Sequence, residues 1–267
     1  HKETLMKQAI LATLMAGAFG FFAYTLRRYT RVALLGAADP RPRFDQLPKR
    51  LAMVLVYFFG QKRVAEKQLA PAAPSYHHLW IFWGFLIITL GTGELFVAGV
   101  WPSFHLGLFM PAGAYGAMKW LVDLFNLIVL ALVGFAFFRR IVIRPRLIPM
   151  NLDAAAILGA IAALMITHFG YHAGHALSLG AREVASAPVS TMLAGFFADK
   201  LSAETAGTLS QVFYWTHVVI VLAFLNYLPY SKHIHLLGAL PNIFTMNLSQ
   251  RTLDIPKLNL EDENQWG

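Results

Sequence analysis

Five runs of apolar residues, each near twenty long, constrain this chain more than any other feature. Crossing about 30 Å of hydrocarbon as an α-helix takes roughly 20 residues. The runs lie at Leu5 to Leu26, His78 to Val97, Lys119 to Phe138, Leu152 to Leu177 and Val212 to Tyr230. They predict an all-α integral membrane bundle of five helices, because a lipid-embedded backbone must satisfy its own polar groups. Composition agrees: 57% of the 267 residues are hydrophobic and 13% are charged. The mean hydropathy of +0.53 is too high for a soluble domain. There is no cysteine, so disulfides, thiolate zinc sites and iron–sulfur ligation within this chain are excluded. The chain begins at His1 rather than Met, as a processed or trimmed piece does.

The basic residues mark orientation. Ten lie between the first two spans, from Arg27 to Lys67, and Arg139, Arg140, Arg144 and Arg146 follow the third. Lys232, Arg251 and Lys257 follow the fifth, whereas the stretch from Ala98 to Met118 carries no charge. The loop from Ser178 to Gln211 is nearly balanced. By the positive-inside rule the N-terminus is outside and the C-terminus cytoplasmic, in a multi-pass protein of the inner, cytoplasmic membrane. The net charge of +8 therefore reads as topology rather than as nucleic-acid binding. "RLAMVLVYFFGQKRV", Arg50 to Val64, has an apolar centre too short to span and basic flanks, and predicts an interfacial amphipathic helix. A short helix near Val189 to Ala198 is expected to cover the outer end of the bundle. Residues 1–245 form the expected membrane domain, and the acidic tail 246–267, ending "LNLEDENQWG", is expected to reach into the cytoplasm.

Ionisable side chains within spans are costly and mark function. His217 and His235 are 18 residues apart, five turns and about 27 Å on an ideal helix, and would share one face. Pro229 stands between them and can kink that helix, so His233 stays in reserve. With the orientation above, His77 and His78 lie at the level of His235. His168, His172 and His175 lie at the level of His217, on one face of span four by their spacing. Gly170 and Gly174 form a small-xxx-small pair on the other side, suited to close helix contact. Two histidine clusters at two depths suit bis-histidine haem b. Zinc or copper gives no reason for ligands at both depths, and a histidine proton relay remains an alternative.

Span five, "YWTHVVIVLAFLNYLPYSKHIH", and span two, "HHLWIFWGF", resemble the membrane cytochrome b domain of the nitrate reductase gamma-subunit type. The likeness is greatest to the form fused to heterodisulfide-reductase-like iron–sulfur proteins, several of which link electron-transfer flavoprotein to menaquinone. "FFGQKRV" before span two and "PNIF" after span five are similar to the same group. The resemblance implies two haems b between spans two and five, and a quinone site. It implies His78 and His235 as ligands of the inner haem and His217 as a ligand of the outer one. The family pattern expects a second histidine about three turns into span two, where this chain reads "LGTGEL" with Thr92. Span four offers replacements, with depth favouring His172 over His168. The resemblance also implies a cytoplasmic iron–sulfur domain or subunit beyond the tail.

Glu94, and after it Asp123, are the candidate proton carriers for a quinone, since quinone chemistry moves protons with electrons. A local Lys119–Asp123 pair, four residues apart, is the bland reading of Asp123. The expected function is a haem b-containing electron-transfer module between a cytoplasmic iron–sulfur partner and menaquinone. The competitors are a histidine proton relay or transporter, and a non-redox anchor for an iron–sulfur enzyme.

Overall fold

The computed structural model describes residues 2–36, 43–65, 76–144 and 149–248. The described residues form helices joined by turns and loops, with no strand. Five helices are long and apolar enough to cross a membrane: α1 (Lys2–Ala33), α4 (Tyr76–Val100), α5 (Ala112–Phe138), α6 (Leu152–Ser178) and α8 (Ala203–Tyr227). Between them lie the shorter α2 (Leu47–Met53), α3 (Lys62–Ala65) and α7 (Pro188–Phe197), and α9 (Ile234–Phe244) follows. All five expected spans are present, each longer than its apolar centre. In the most apolar stretch of each, between 11% and 39% of residues are buried. The rest of that apolar surface faces outward, which suits a hydrocarbon surround and not water.

Local sequence sets the ends. Asn151 caps α6, its Oδ1 accepting from Ala154 N at 2.9 Å, and Ser202 caps α8 by accepting from Thr205 N at 3.1 Å. Pro188 opens α7, where a missing N–H costs nothing. α6 ends at Ser178, and Gly180, with a φ of 73°, lets the chain turn back, with Ala181 N bonded to Ala176 O at 2.9 Å.

Two compact units are distinguished: His1–Leu35 with Arg63–Ile234, and Gly36–Lys62 with His235–Gly267. In the first, the five long helices form a closed ring of neighbours, in the order α1, α4, α5, α6, α8 and back to α1. Ile88, Phe125, Val129, Val133, Leu158 and Met165 fill the contact among α4, α5 and α6. Leu11, Phe96, Val218 and Leu222 fill that among α1, α4 and α8. α7 lies on α5 and α6, where the sequence predicted a short helix. The tightest pair is α6 with α8. A Cβ on Gly174 would sit 3.0 Å from Ala206 O and 3.2 Å from Ser210 Cβ, and one on Gly170 would meet the Phe213 ring. The small-xxx-small reading of these glycines holds, and α8 is the partner.

In the second unit, Arg50 is 1% exposed. Its Nη1 donates to Phe244 O at 2.7 Å, an open carbonyl at the C-terminus of α9, and to Met246 O at 2.9 Å just beyond that helix. Its Nη2 meets Asp45 Oδ1 at 2.6 Å, and that bond holds the Asp45 carboxyl below its ordinary pKa.

Two expectations need correction. The helix expected from Arg50 to Val64 is interrupted. α2 continues as a π-helical turn from Val54 to Phe59, and Gln61 takes a left-handed φ of 48° before α3 begins. Nor do His217 and His235 share a helix. α8 passes into a single 3-10 turn, Leu228–Tyr230, and Ser231 is extended (φ −104°, ψ 174°) before α9 starts. Pro229 stands in that turn and brings no N–H to continue the helix. The expected tail boundary at residue 246 comes at the end of the described chain, and "LNLEDENQWG" lies outside the described residues, as do Arg41, Lys67, Arg146, Arg251 and Lys257.

Candidate functional site

One end of the ring encloses a cavity of about 730 Å³, within the roughly 300–1,000 Å³ typical of cofactor and ligand sites. All five long helices reach it. His168, His172 and His175 line it from α6 and His217 from α8. Four histidines placed at one level by sequence reasoning are thus brought into one cavity. Glu94 and Asp123, the two candidate proton carriers, line the same space, and so does Thr92.

His217 is 4% exposed. Its Nδ1 lies 2.9 Å from Thr167 Oγ1. The Thr167 hydroxyl also lies 2.8 Å from Ala163 O and 3.0 Å from Leu164 O, both acceptors only. A hydroxyl has one hydrogen to give, so it donates to the helix carbonyls and accepts from His217 Nδ1–H. That assigns the tautomer and leaves Nε2 of His217 with its lone pair available, the arrangement found behind histidines that bind metals.

Asp123 is 1% exposed and belongs to the fold of α7. Its carboxylate accepts from Val189 N at 2.6 Å, from Ser190 N at 3.3 Å and from the Ser190 hydroxyl at 2.5 Å. Negative charge at a helix N-terminus is favourable because the first N–H groups lack partners and the dipole points that way. His168 Nε2 is buried without a hydrogen bond, and Asp123 Oδ1 is 3.8 Å away. The expected Lys119–Asp123 pair does not form. The Lys119 ammonium instead lies over the Tyr115 ring, 4.9 Å from its centre.

Glu94 is partly exposed to the cavity. It accepts from Tyr115 Oη at 2.6 Å and from Leu106 N at 3.2 Å. Sequence reasoning missed Thr167, Tyr115 and Ser190, the residues that hold His217, Glu94 and Asp123. It also missed Thr4, Lys7 and Gln8 of α1, which line the cavity. The signal for Thr167 was a polar residue next to His168 within an apolar span. Nothing in the sequence pairs Tyr115 with Glu94.

The remaining histidines lie apart from this cavity's lining. His77 and His78 occupy the first turn of α4, with His77 set edge-on to Phe135 at 6.0 Å. His233 packs on Phe224 at 6.0 Å. His235 is in the first turn of α9, in the second unit. Among the described residues no three metal-binding side chains gather into a metal cage.

Fold and site together define an all-helical protein whose five membrane-length helices surround a cavity furnished with histidines and carboxylates. Two curated relatives match it. The "Probable iron-sulfur-binding oxidoreductase FadF" of Bacillus subtilis (strain 168) is 26% identical over 259 residues, 96% of this chain and 35% of that protein. The "EtfAB:quinone oxidoreductase" of Syntrophomonas wolfei is 26% identical over 237 residues, 84% of this chain and 32% of that protein. The chain spans about a third of the length of these relatives. No family model and no solved structure matches the chain.

Proposed function

We propose that this chain is the membrane electron-transfer part of a quinone oxidoreductase, of the nitrate reductase gamma-like cytochrome b type. It would carry electrons between a cytoplasmic iron–sulfur domain or subunit, of the heterodisulfide-reductase-like kind, and menaquinone in the inner membrane. Electron-transfer flavoprotein is the proposed source or sink behind that partner. The names of the two relatives, one iron–sulfur-binding and one a quinone oxidoreductase, support this reading. The observation that carries it is the convergence of four imidazoles and two carboxylates on one cavity.

The residues fit a haem b there. The cavity volume suits a cofactor, and His217 is buried, held at Nδ1 and free to ligate through Nε2. His172 is the proposed second ligand, because His168 is drawn toward Asp123. His78 and His235, with His233 in reserve, are proposed for a second haem on the resemblance alone. Bound haem b would supply a one-electron carrier in a site otherwise built only for proton chemistry. The chain's own part is to hold the imidazoles, exclude water with α7, and move protons at Glu94. Asp123 takes the structural role of anchoring α7. The distribution of basic residues supports an orientation with the cavity on the outer side and the C-terminus inside.

Absorption spectroscopy of the purified protein tests the reading. A reduced-minus-oxidised b-type band, with two haems per chain falling to one in His217→Ala, is expected. A colourless preparation overturns it in favour of a histidine relay, and a His217→Ala, His235→Ala double variant with undiminished quinone turnover leaves only the anchor.

A further inference from the structure

Among the described residues of this bundle, the phenol hydroxyls other than those of Tyr171 and Tyr214 are engaged or on the outer surface. Tyr29 donates to Pro229 O, Tyr115 to Glu94 and Tyr227 to Asp153, while Tyr230 meets Thr25. Tyr24 is 58% exposed on α1. Tyr171 of α6 and Tyr214 of α8 differ. They line the cavity with ring centres 5.4 Å apart, and neither hydroxyl has a hydrogen-bond partner among the described residues. Neither oxygen is sealed from its surroundings either. A partly buried tyrosine ordinarily finds an acceptor for its O–H, so two unspent donors on one cavity wall call for an acceptor that enters from outside.

The neighbouring helix packs close to this pair on one side, so an acceptor can approach only from the open part of the cavity. Gly99 of α4 lies against the Tyr214 hydroxyl and Leu11, and even a Cβ at that position would overlap both. The wall around the pair is aromatic. Trp215 is set edge-on to Tyr214 at 5.4 Å, and His175 stacks on Tyr171 at 6.0 Å with planes 18° apart. An acceptor oxygen on a flat, conjugated ring answers both features. Among the other donors in the cavity, Lys119 is cationic and Tyr115 is committed to Glu94.

We propose that Tyr171 and Tyr214 form the donor pair that receives a carbonyl oxygen of the quinone ring, a role that rests on the quinone reading above. The two hydroxyls hold the ring, and Glu94 remains the proton carrier. The inference concerns binding alone.

The test is titration of the full chain in detergent with 2-methyl-1,4-naphthoquinone, followed by quenching of tryptophan fluorescence. Tyr214→Phe and Tyr171→Phe each remove one hydroxyl and keep the ring. Each is expected to weaken binding roughly three- to tenfold, the range for one hydrogen bond, with the haem spectrum unchanged. Tyr24→Phe, on the outer surface, is expected to bind as the parent does. If both cavity variants bind the probe as tightly as the parent, the donor pair is refuted while the quinone reading stands. If the parent protein itself does not bind the probe, the quinone reading fails and the inference goes with it.

Discussion

Thr167 Oγ1 and His217 Nδ1 lie 2.9 Å apart across the α6–α8 contact. The bond fixes which nitrogen of a buried imidazole keeps its proton. Replacing Thr167 with Val keeps the shape and removes the acceptor, leaving a buried N–H unpaired. Partners of this kind typically change metal affinity 10- to 100-fold. Thr167→Val is therefore expected to lower haem retention on dilution, with His217→Ala abolishing the same haem outright. Pyridine haemochrome titration of the washed protein measures both.

The α6–α8 seam predicts a contrast between glycines. At Gly174 a methyl group would press on the Ala206 carbonyl, backbone that cannot swing away. Gly174→Ala is expected to cost on the order of 1–3 kcal/mol, as overpacking does. At Gly134, on α5, a Cβ would meet nothing within 4 Å. Gly134→Ala should be neutral or stabilising by a few tenths of a kcal/mol to about 1. Thermal unfolding midpoints in detergent distinguish the two, and equal shifts would contradict the packing described.

The spans were legible in the sequence because twenty-residue apolar runs have few other uses. The shared face of His168, His172 and His175 was legible because helix geometry fixes it once span four is known. Geometry misled where a helix was assumed to continue. The 18-residue spacing of His217 and His235 implied one face, and the break around Pro229 removed it. Lys119 and Asp123 had the spacing of a local pair, yet Asp123 bonds 66 residues away to Val189. Local spacing states what can meet on one helix. It does not rank that against a competing helix N-terminus, which is a tertiary event.

That competition gives a third prediction. Asp123→Asn removes the charge that meets the first N–H groups of α7 and keeps a carbonyl acceptor. Hydrogen bonds to charged groups contribute roughly 1.5–3 kcal/mol against about 1 for neutral ones. Exchange at the Val189 and Ser190 amides should accelerate about tenfold or more, while amides within α6 and α8 keep their protection. Lys119→Ala should leave α7 unchanged. Hydrogen exchange read by mass spectrometry resolves both segments.

In the second unit, acid should act through Asp45. Its carboxyl is held below the usual range by the hydrogen bond from Arg50. A depressed carboxylate contributes stability above its unfolded value, near pH 3.9, and loses it as pH falls through the lower folded value. Loosening of Leu47–Met53 is thus expected as pH falls below the unfolded value, and Asp45→Asn should flatten that dependence. Arg50→Ala is expected to be severe at any pH, because the Phe244 and Met246 carbonyls lose their donor. Limited proteolysis across a pH series, followed at this segment, measures all three.

Glu94 offers the sharpest separation of proton from electron work. Both carboxylate oxygens are engaged, one by Tyr115 Oη and one by Leu106 N. Glu94→Gln preserves the size and an acceptor for Tyr115 but cannot exchange a proton in the working pH range. If Glu94 is the carrier, reduction of haem by an artificial donor should proceed as before. Quinone turnover should fall by about 10²–10⁴, the usual contribution of positioned acid–base groups. Tyr115→Phe removes a donor to the carboxylate without removing the carboxylate, so its loss should be smaller. Equal rates of turnover in parent and Glu94→Gln would pass the role to another group on the same cavity. Asp123 would be a poor choice, because its oxygens are held by the N-terminus of α7 and a proton placed there would compete with the bonds that anchor α7.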